Sequence, residues 1–320
     1  MNYDVFNGDA DGICALLQLR QTFPCESELV SGVKREIDLL KKISVNDGDS
    51  VAVLDISLDK NRTHLASMLE KNISVLYIDH HFAGDIPTSN KLQVVIDESP
   101  EVSTCSLMNG YLSNSRPLWA AVGTFGDNLR ELAFAQIAGA GLSNSESALL
   151  EELGIYINYN GYGQDLSDLN YTPQELYGLL QPYSNPIDFI MDCPSHFSKL
   201  KESYESDFSK ASMLKPDRSC ETSKLFILPQ ESWSRRVVGV FSNHLTNSNP
   251  NVAHAVLIRN TDNSYMVSVR APLISRTGAS DLCCQFPTGG GRKAAAGINK
   301  LHDSQLDEFI NKFEEAFSSR

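Results

Sequence analysis

The chain lacks what a secreted or membrane protein carries. No apolar run approaches the roughly 20 residues that a transmembrane helix needs, and mean hydropathy is slightly negative. The amino terminus, Met1 to Phe6, has no basic region ahead of an apolar stretch, so it does not read as a signal peptide. Seven cysteines, an odd number with no C-x-x-C pair, argue for reduced thiols and a cytoplasmic location. Basic residues are scarce. The 27 Lys and Arg face 40 Asp and Glu, a net charge of −13, which disfavours long DNA or RNA as a partner. Internal repeats and low-complexity tracts are missing too.

The acidity is uneven. Residues 1–194 hold 11 Lys and Arg against 27 Asp and Glu, whereas residues 195–320 hold 16 against 13. An acidic part fit for cations, followed by a more basic part fit for an anion, suits a small phosphate-bearing substrate. A length of 320 residues suggests two domains, each with its own core. Over residues 1–100 short apolar strands (near 2–6, 27–31, 50–54, 73–78 and 93–97) alternate with helical patterns (12–22, 34–42 and 58–71). That alternation predicts a mostly parallel sheet with crossover helices. From 102 to 192 the pattern is helical, with Pro117, Pro173 and Pro186 at helix starts. The segment Tyr159 to Gly163 reads as a loop without assigned chemistry. Residues 195–216 read as a helical connector. Strands follow (224–229, 236–241, 253–259, 264–270), then a Gly-rich turn and a terminal helix over 303–317.

Three of the early strands end on acidic or imidazole groups. The run Tyr3-Asp4-Val5-Phe6 stops at Asn7-Gly8-Asp9-Ala10-Asp11-Gly12; Val51 to Leu54 delivers Asp55; Val75 to Ile78 delivers Asp79-His80-His81. Later, Ala120 to Gly126 leads to Asp127. Ligands collect at the carboxyl ends of strands in open α/β sheets. Two carboxylates as close as Asp9 and Asp11 repel each other unless they share a cation. Carboxylate with imidazole suits Mn2+, or Fe2+ and Co2+, better than thiolate-seeking metals. Taken singly, Asp9, Asp11 and Asp127 read as helix caps and His80-His81 as a surface pair; taken together, that reading requires four coincidences in register.

These residues carry a resemblance. Asp9-Ala10-Asp11, Asp55, Asp79-His80-His81 and Asp127 follow the order and spacing of the four motifs of the DHH phosphoesterases. Arg270, at the end of Val267-Ser268-Val269, and Gly289-Gly290-Gly291-Arg292 resemble the associated DHHA1 domain. The resemblance covers nearly the whole chain. It implies an α/β protein with a DHH domain over 1–194, a connector over 195–216 and a smaller α/β DHHA1 domain over 217–320, with the active site in the interdomain cleft. It further implies two divalent ions, Mn2+ by preference. Asp9 and Asp55 would hold one; Asp11, Asp55, His80 and Asp127 would hold the other, Asp55 bridging. His81 would face the phosphate as a catalytic group beside Asp55. Arg270, Gly289, Gly290, Gly291 and Arg292 would bind the far end of the substrate. Two positions depart from the family. Asn7 stands where a His, or an Asp in some single-strand exonucleases, is usual, and is at best a weak neutral ligand. Arg292 stands where His is common, and recognises phosphate without serving as an acid.

Family substrates include short oligoribonucleotides (nanoRNA) and linear dinucleotides, cyclic dinucleotides, 3′-phosphoadenosine 5′-phosphate, long single-stranded DNA and inorganic polyphosphates. The glycine block disfavours the pyrophosphatase branch, and modest length with acidic charge disfavours a processive DNA exonuclease. The expectation is a Mn2+-dependent phosphodiesterase that cleaves 5′-phosphorylated dinucleotides of the pGpG or pApA type to nucleoside 5′-monophosphates, through a two-metal hydroxide attack. Cyclic dinucleotides and 3′-phosphoadenosine 5′-phosphate are the alternatives, and a catalytically silent nucleotide-binding regulator is the reading from another class. The expected partners are a short nucleotide, no long nucleic acid and no membrane, with a homodimer left open.

Overall fold

The computed structural model describes residues 1–318, and they fall into two units, the first Met1–Glu202 and the second from Ser203 onward. The first unit opens with β1 (Asn2–Phe6), α1 (Ala10–Thr22), β2 (Glu28–Val30), β3 (Ser50–Leu54), α2 (Leu58–Glu70), β4 (Ser74–Asp79) and β5 (Leu92–Ile96). These strands form one parallel sheet in the order β2-β1-β3-β4-β5. β1, β3 and β4 lie in the middle with both faces covered, which is why they read as near-continuous apolar runs. Val5, Val53 and Tyr77 face a core closed by Leu65 and Met68 of α2. Phe6, Leu54 and Ile78, one step along each strand, are buried toward the other face.

The register of these three strands is flush. Phe6 pairs with Leu54, and Leu54 with Ile78. The ladder runs one residue further, because the Asn7 amide donates to the Leu54 carbonyl (3.1 Å) and the Asp55 amide to the Ile78 carbonyl (3.0 Å). Asn7, Asp55 and Asp79 therefore leave the sheet side by side.

Seven helices complete the unit: α3 (Thr104–Tyr111), α4 (Pro117–Gly126), α5 (Arg130–Ile137), α6 (Asn144–Asn160), α7 (Pro173–Leu180), α8 (Pro186–Asp192) and α9 (Pro194–Ser212), the last running on into the second unit. Proline opens α4, α7 and α8, where its missing N–H costs nothing. α4 is almost wholly buried and packs on α1, α3, α5 and α6. Its approach to α6 depends on two glycines: a Cβ on Gly154 would lie 2.2 Å from the Val122 carbonyl oxygen, and one on Gly126 would lie 3.0 Å from the Gly154 carbonyl oxygen. No helix among the described residues is long and apolar enough to cross a membrane.

The second unit contains β6 (Arg218–Ser219), β7 (Ser223–Leu228), α10 (Ser232–Ser248), β8 (Ala253–Arg259), β9 (Ser264–Arg270), α11 (Ala279–Cys283), β10 (Gly289–Gly291), β11 (Ala295–His302) and α12 (Leu306–Ala316). Its mixed sheet has the order β10-β11-β9-β8-β7-β6. Only β7 and β8 run parallel among these pairs. Phe309 and Phe313 of α12 cover a core of Val267, Val269, Ile298 and Leu301.

Three expectations fail. Residues 34–42 are not a helix but a turn followed by a single 3-10 turn at Leu39–Lys42. Tertiary bonds claim the groups that a helix would use: the Lys34 amide donates to the Gly161 carbonyl, and the Asn61 side chain takes the Leu40 amide and the Ile37 carbonyl. Residues 236–241 are not a strand but the middle of α10. Their β-branched run masks Trp233, Val237, Val240 and Phe241, which recur at helical spacing and are buried. The Gly-rich turn is a hairpin, β10 pairing with β11.

The glycine contact gives a stability test. Gly154→Ala should lose about 1–3 kcal/mol, because the opposing atom is backbone and cannot rotate away. Gly178→Ala, a helical position in α7 with open space around it, should gain roughly 0.5–1 kcal/mol. Urea denaturation of the two variants beside the parent chain checks both signs.

Candidate metal centre

The flush strand ends place Asp9, Asp55 and the Asp79-His80-His81 turn together. Asp9 is the N-cap of α1, its Oδ1 accepting from the Gly12 amide at 3.1 Å. Asp11 follows inside the helix, and both its oxygens accept backbone N–H groups at 2.7 Å, from Thr104 and Cys105 at the start of α3. Thr104 also donates its hydroxyl to Asp55 Oδ1 (2.9 Å), so a single threonine orients two carboxylates. Asp55 sits in the left-handed region (φ 61°), a conformation that non-glycine residues rarely adopt. Asp127 arrives as the C-cap of α4, not the start of the next helix.

His80 fixes the centre. Its Nδ1 lies 2.8 Å from the Val102 carbonyl and donates there, which leaves Nε2 as the lone-pair atom. Around Nε2 stand Asp127 Oδ2 at 3.4 Å, Asp55 Oδ1 at 3.5 Å and Asp11 Oδ2 at 3.9 Å. With the ring proton on Nδ1, Nε2 has none to donate to these oxygens. Two of the three separations match the spacing between ligand atoms that share one ion, about 3–3.5 Å for metal–ligand bonds near 2.1 Å, and Asp11 lies slightly further out. The donor set of one imidazole and three carboxylates, Asp11 and Asp55 buried and Asp127 nearly so, fits a divalent ion of the Mn2+ type.

His81 is placed for another task. Its Nδ1 bonds Asp79 Oδ1 at 2.7 Å, and its side chain is 32% exposed, against 2% for His80. Burial works against the Asp79 charge, but His81, with its hydrogen bond, outweighs it and holds Asp79 below the usual carboxylate range. Asp79 thus aligns the imidazole, a role the sequence reading did not give it.

The first metal position holds something the sequence reading missed. Lys34, within the segment read as a helix, sends its ammonium to Asp9, to Asn158 Oδ1 at 2.9 Å and to Asp127 Oδ1 at 3.4 Å. The Tyr162 ring centroid lies 5.4 Å from Nζ. Asn158 and Tyr162 come from the end of α6 and the stretch after it, so the region left without chemistry borders the centre. Burial disfavours the Lys34 charge, yet Asp9, Tyr162 and Asp127 outweigh burial and hold it well above the ordinary lysine range. Asn7 is buried beside this lysine, its Nδ2 donating to the Lys34 carbonyl (3.4 Å) and its Oδ1 accepting no hydrogen bond among the described residues.

The DHHA1-like residues lie in the second unit. Arg270 ends β9, with Nε donating to Asn243 Oδ1 at 3.0 Å, and pairs in register with Ala295. Gly289, Gly290 and Gly291 are the edge strand β10, bonded to β11 on one side, where the sequence suggested a turn. Arg292 lies in the turn after β10, which returns to β11 next to Arg270.

Comparison with known proteins agrees with this geometry. The DHH family, N-terminal domain, matches residues 3–133, and the DHHA1 domain matches residues 222–319. The chain belongs to the DHH/DHHA1 phosphoesterases. It is accordingly a metal-dependent phosphoesterase by family. The exonuclease RecJ bound to manganese is similar in structure at 15% identity and a TM-score of 0.62, covering 100% of this chain and 90% of its own. An exopolyphosphatase-related protein from Bacteroides fragilis is similar at 15% identity and a TM-score of 0.52, covering 99% of this chain and 91% of its own. A pGpG-specific phosphodiesterase, PggH, from Vibrio cholerae is similar at 12% identity and a TM-score of 0.53, covering 98% of both chains. Among curated proteins no match is found.

The carboxylates set a pH dependence. Burial, then Asp127 and Asp9, push Asp11 up to about 7, and burial, then Asp9, Asp11 and Asp127, push Asp55 well above the carboxylate range. In the metal-free fold both stay protonated at pH values where the unfolded chain has released its protons. Stability then falls as pH rises from the unfolded pKa near 4 to about 7. A divalent ion removes the penalty. In EDTA, thermal denaturation from pH 5 to pH 7.5 should show a melting temperature falling by roughly 5–15 °C, and Mn2+ should restore much more at pH 7.5 than at pH 5.

Proposed function

We propose that this phosphoesterase is a Mn2+-dependent phosphodiesterase acting on short linear nucleotides, with 5′-phosphorylated dinucleotides such as pGpG or pApA as preferred substrates. The observation that carries the reading is the convergence of Asp11, Asp55 and Asp127 on Nε2 of His80, next to an imidazole held by Asp79. Asp11, Asp55, His80 and Asp127 would hold the ion. Mn2+ suits that set better than Mg2+, because Mg2+ prefers oxygen and water. Bound there, the ion supplies Lewis acidity to a phosphoryl oxygen and to the attacking water.

The remaining steps fall to the chain's own residues. Thr104 and the α3 amides fix the carboxylates, so they need not reorganise as charge develops on phosphorus. His81, polarised by Asp79, donates a hydrogen bond to a non-bridging oxygen or a proton to the leaving oxygen. Arg270 and the Gly289-Gly290-Gly291-Arg292 turn offer a guanidinium pair and a close backbone to a terminal phosphate. The acidic first part repels every further phosphate, which disfavours long chains. The similarity to a protein named as pGpG-specific supports this size of substrate. Seven cysteines, an odd number without a C-x-x-C pair, suit the reducing cytoplasm.

A substrate panel tests the reading. With Mn2+, kcat/KM should be highest for 5′-phosphorylated dinucleotides and fall as the chain grows. Cyclic dinucleotides should be slower by at least about tenfold, equivalent to roughly 1.4 kcal/mol, for want of a terminal phosphate. Arg292→Ala should raise KM by about 10- to 100-fold on dinucleotides, the size of a charge-assisted contact of about 1.5–3 kcal/mol, while sparing bis-p-nitrophenyl phosphate. A cyclic dinucleotide or 3′-phosphoadenosine 5′-phosphate outrunning every linear dimer would overturn the substrate choice; binding without turnover would indicate a regulator.

A further inference from the structure

Resting on the reading of the pocket as a divalent-ion site, we propose that Lys34 is a built-in cation standing in for one of the two ions expected of this family, so that each chain binds a single divalent ion at Asp11, Asp55, His80 and Asp127.

The ammonium is enclosed in a manner that leaves no proton spare. Its three N–H groups have three acceptors: Asp9 Oδ2, Asn158 Oδ1 at 2.9 Å and Asp127 Oδ1 at 3.4 Å. The Tyr162 ring stands 5.4 Å away, within the range of a cation–π contact. The backbone is tied down as well, the Lys34 amide donating to the Gly161 carbonyl at 2.8 Å and its carbonyl receiving Asn7 Nδ2 at 3.4 Å. Only 21% of the side chain is exposed. A lysine tethered at both backbone groups and at all three protons is part of the pocket wall.

The second line of argument is what an additional ion would meet. It would need Asp9, the carboxylate already paired with Lys34, and would lie within a few ångströms of the ammonium, where two positive charges shielded from water repel strongly. Besides Asp55, shared with the other ion, its remaining ligand would be Asn7, which offers a neutral amide oxygen in place of an anion or imidazole. The His80 side of the pocket has none of these obstacles. Asp127 joins the two halves, Oδ1 toward Lys34 and Oδ2 toward His80 Nε2, both at 3.4 Å. One carboxylate thereby faces a lysine on one side and a metal position on the other, as a bridging ligand faces two metals. Asn7 and Lys34 then explain each other: the residue that would strengthen the first ion is missing where an internal cation already neutralises Asp9.

The test counts ions. The intact chain, stripped with EDTA and desalted, is titrated with Mn2+ alone by calorimetry, its bound metal measured by mass spectrometry and its spin state by electron paramagnetic resonance. The parent protein should take one Mn2+ per chain and give the six-line spectrum of an isolated ion. The double variant Asn7→His/Lys34→Met should take two and give the spectrum of a coupled pair. Two ions of similar affinity in the parent would overturn the inference while leaving the metal centre intact. A folded double variant that still takes one ion would overturn it too. Should that variant fail to fold, the parent count decides alone. No ion in the parent would remove the metal reading, and this inference with it.

Discussion

Mutual repulsion of buried carboxylates is the constraint on which this structure depends. Asp9, Asp11, Asp55, Asp79 and Asp127 are all withdrawn from water or nearly so, four of them at strand ends or at the first turn beyond. Such a cluster is stable only if each charge has a counterpart. Asp79 takes His81, Asp9 takes Lys34, and Asp11 takes two amides from the start of α3. Asp55 and the second oxygen of Asp127 face His80, the one place where a cation of higher charge would relieve several anions together. The apolar layers on both sides of the sheet hold these groups where they would not otherwise stay.

The α3 turn is the second element of that arrangement. Val102 orients His80 through its carbonyl, Thr104 orients Asp11 and Asp55, and Cys105 orients Asp11. Ser103 caps the helix that supplies the amides, in a reciprocal capping box with Ser106. Four consecutive residues thus position three of the four candidate ligands. Ordinary helix capping accounts for Ser103, but Thr104 serves the centre directly.

Much of this was legible in the sequence. Strands around Val5, Val53 and Tyr77 announced themselves as apolar runs, because a central parallel strand is covered on both faces. Asp9, Asp11, Asp55, His80 and Asp127 stood out because acidic residues directly after such runs have few other reasons to be there. Lys34 was not legible. A lysine between Val33 and Arg35 carries no local sign of burial, and its acceptors lie 25, 93 and 124 residues away. Asn158 and Tyr162 were hidden likewise, one a polar residue near a helix end and the other in a stretch that reads as a loop without chemistry. The strand expected at 236–241 failed for a different reason: over six residues β-branched side chains look alike in helix and strand, and only the longer Trp233–Phe241 spacing separates them.

The flush register of β1, β3 and β4 has a consequence for how such a protein can drift. Main-chain hydrogen bonds set where each strand ends, and they do not depend on which apolar side chains line the strand. Val5 or Val53 can be exchanged for another apolar residue of similar volume without displacing the groups beyond. A single inserted or deleted residue within any of the three strands, by contrast, would shift one ligand by about 3.3 Å along the sheet and turn it to the opposite face. The architecture is therefore tolerant of substitution and intolerant of length change, and a chain of only 15% identity can keep the same fold.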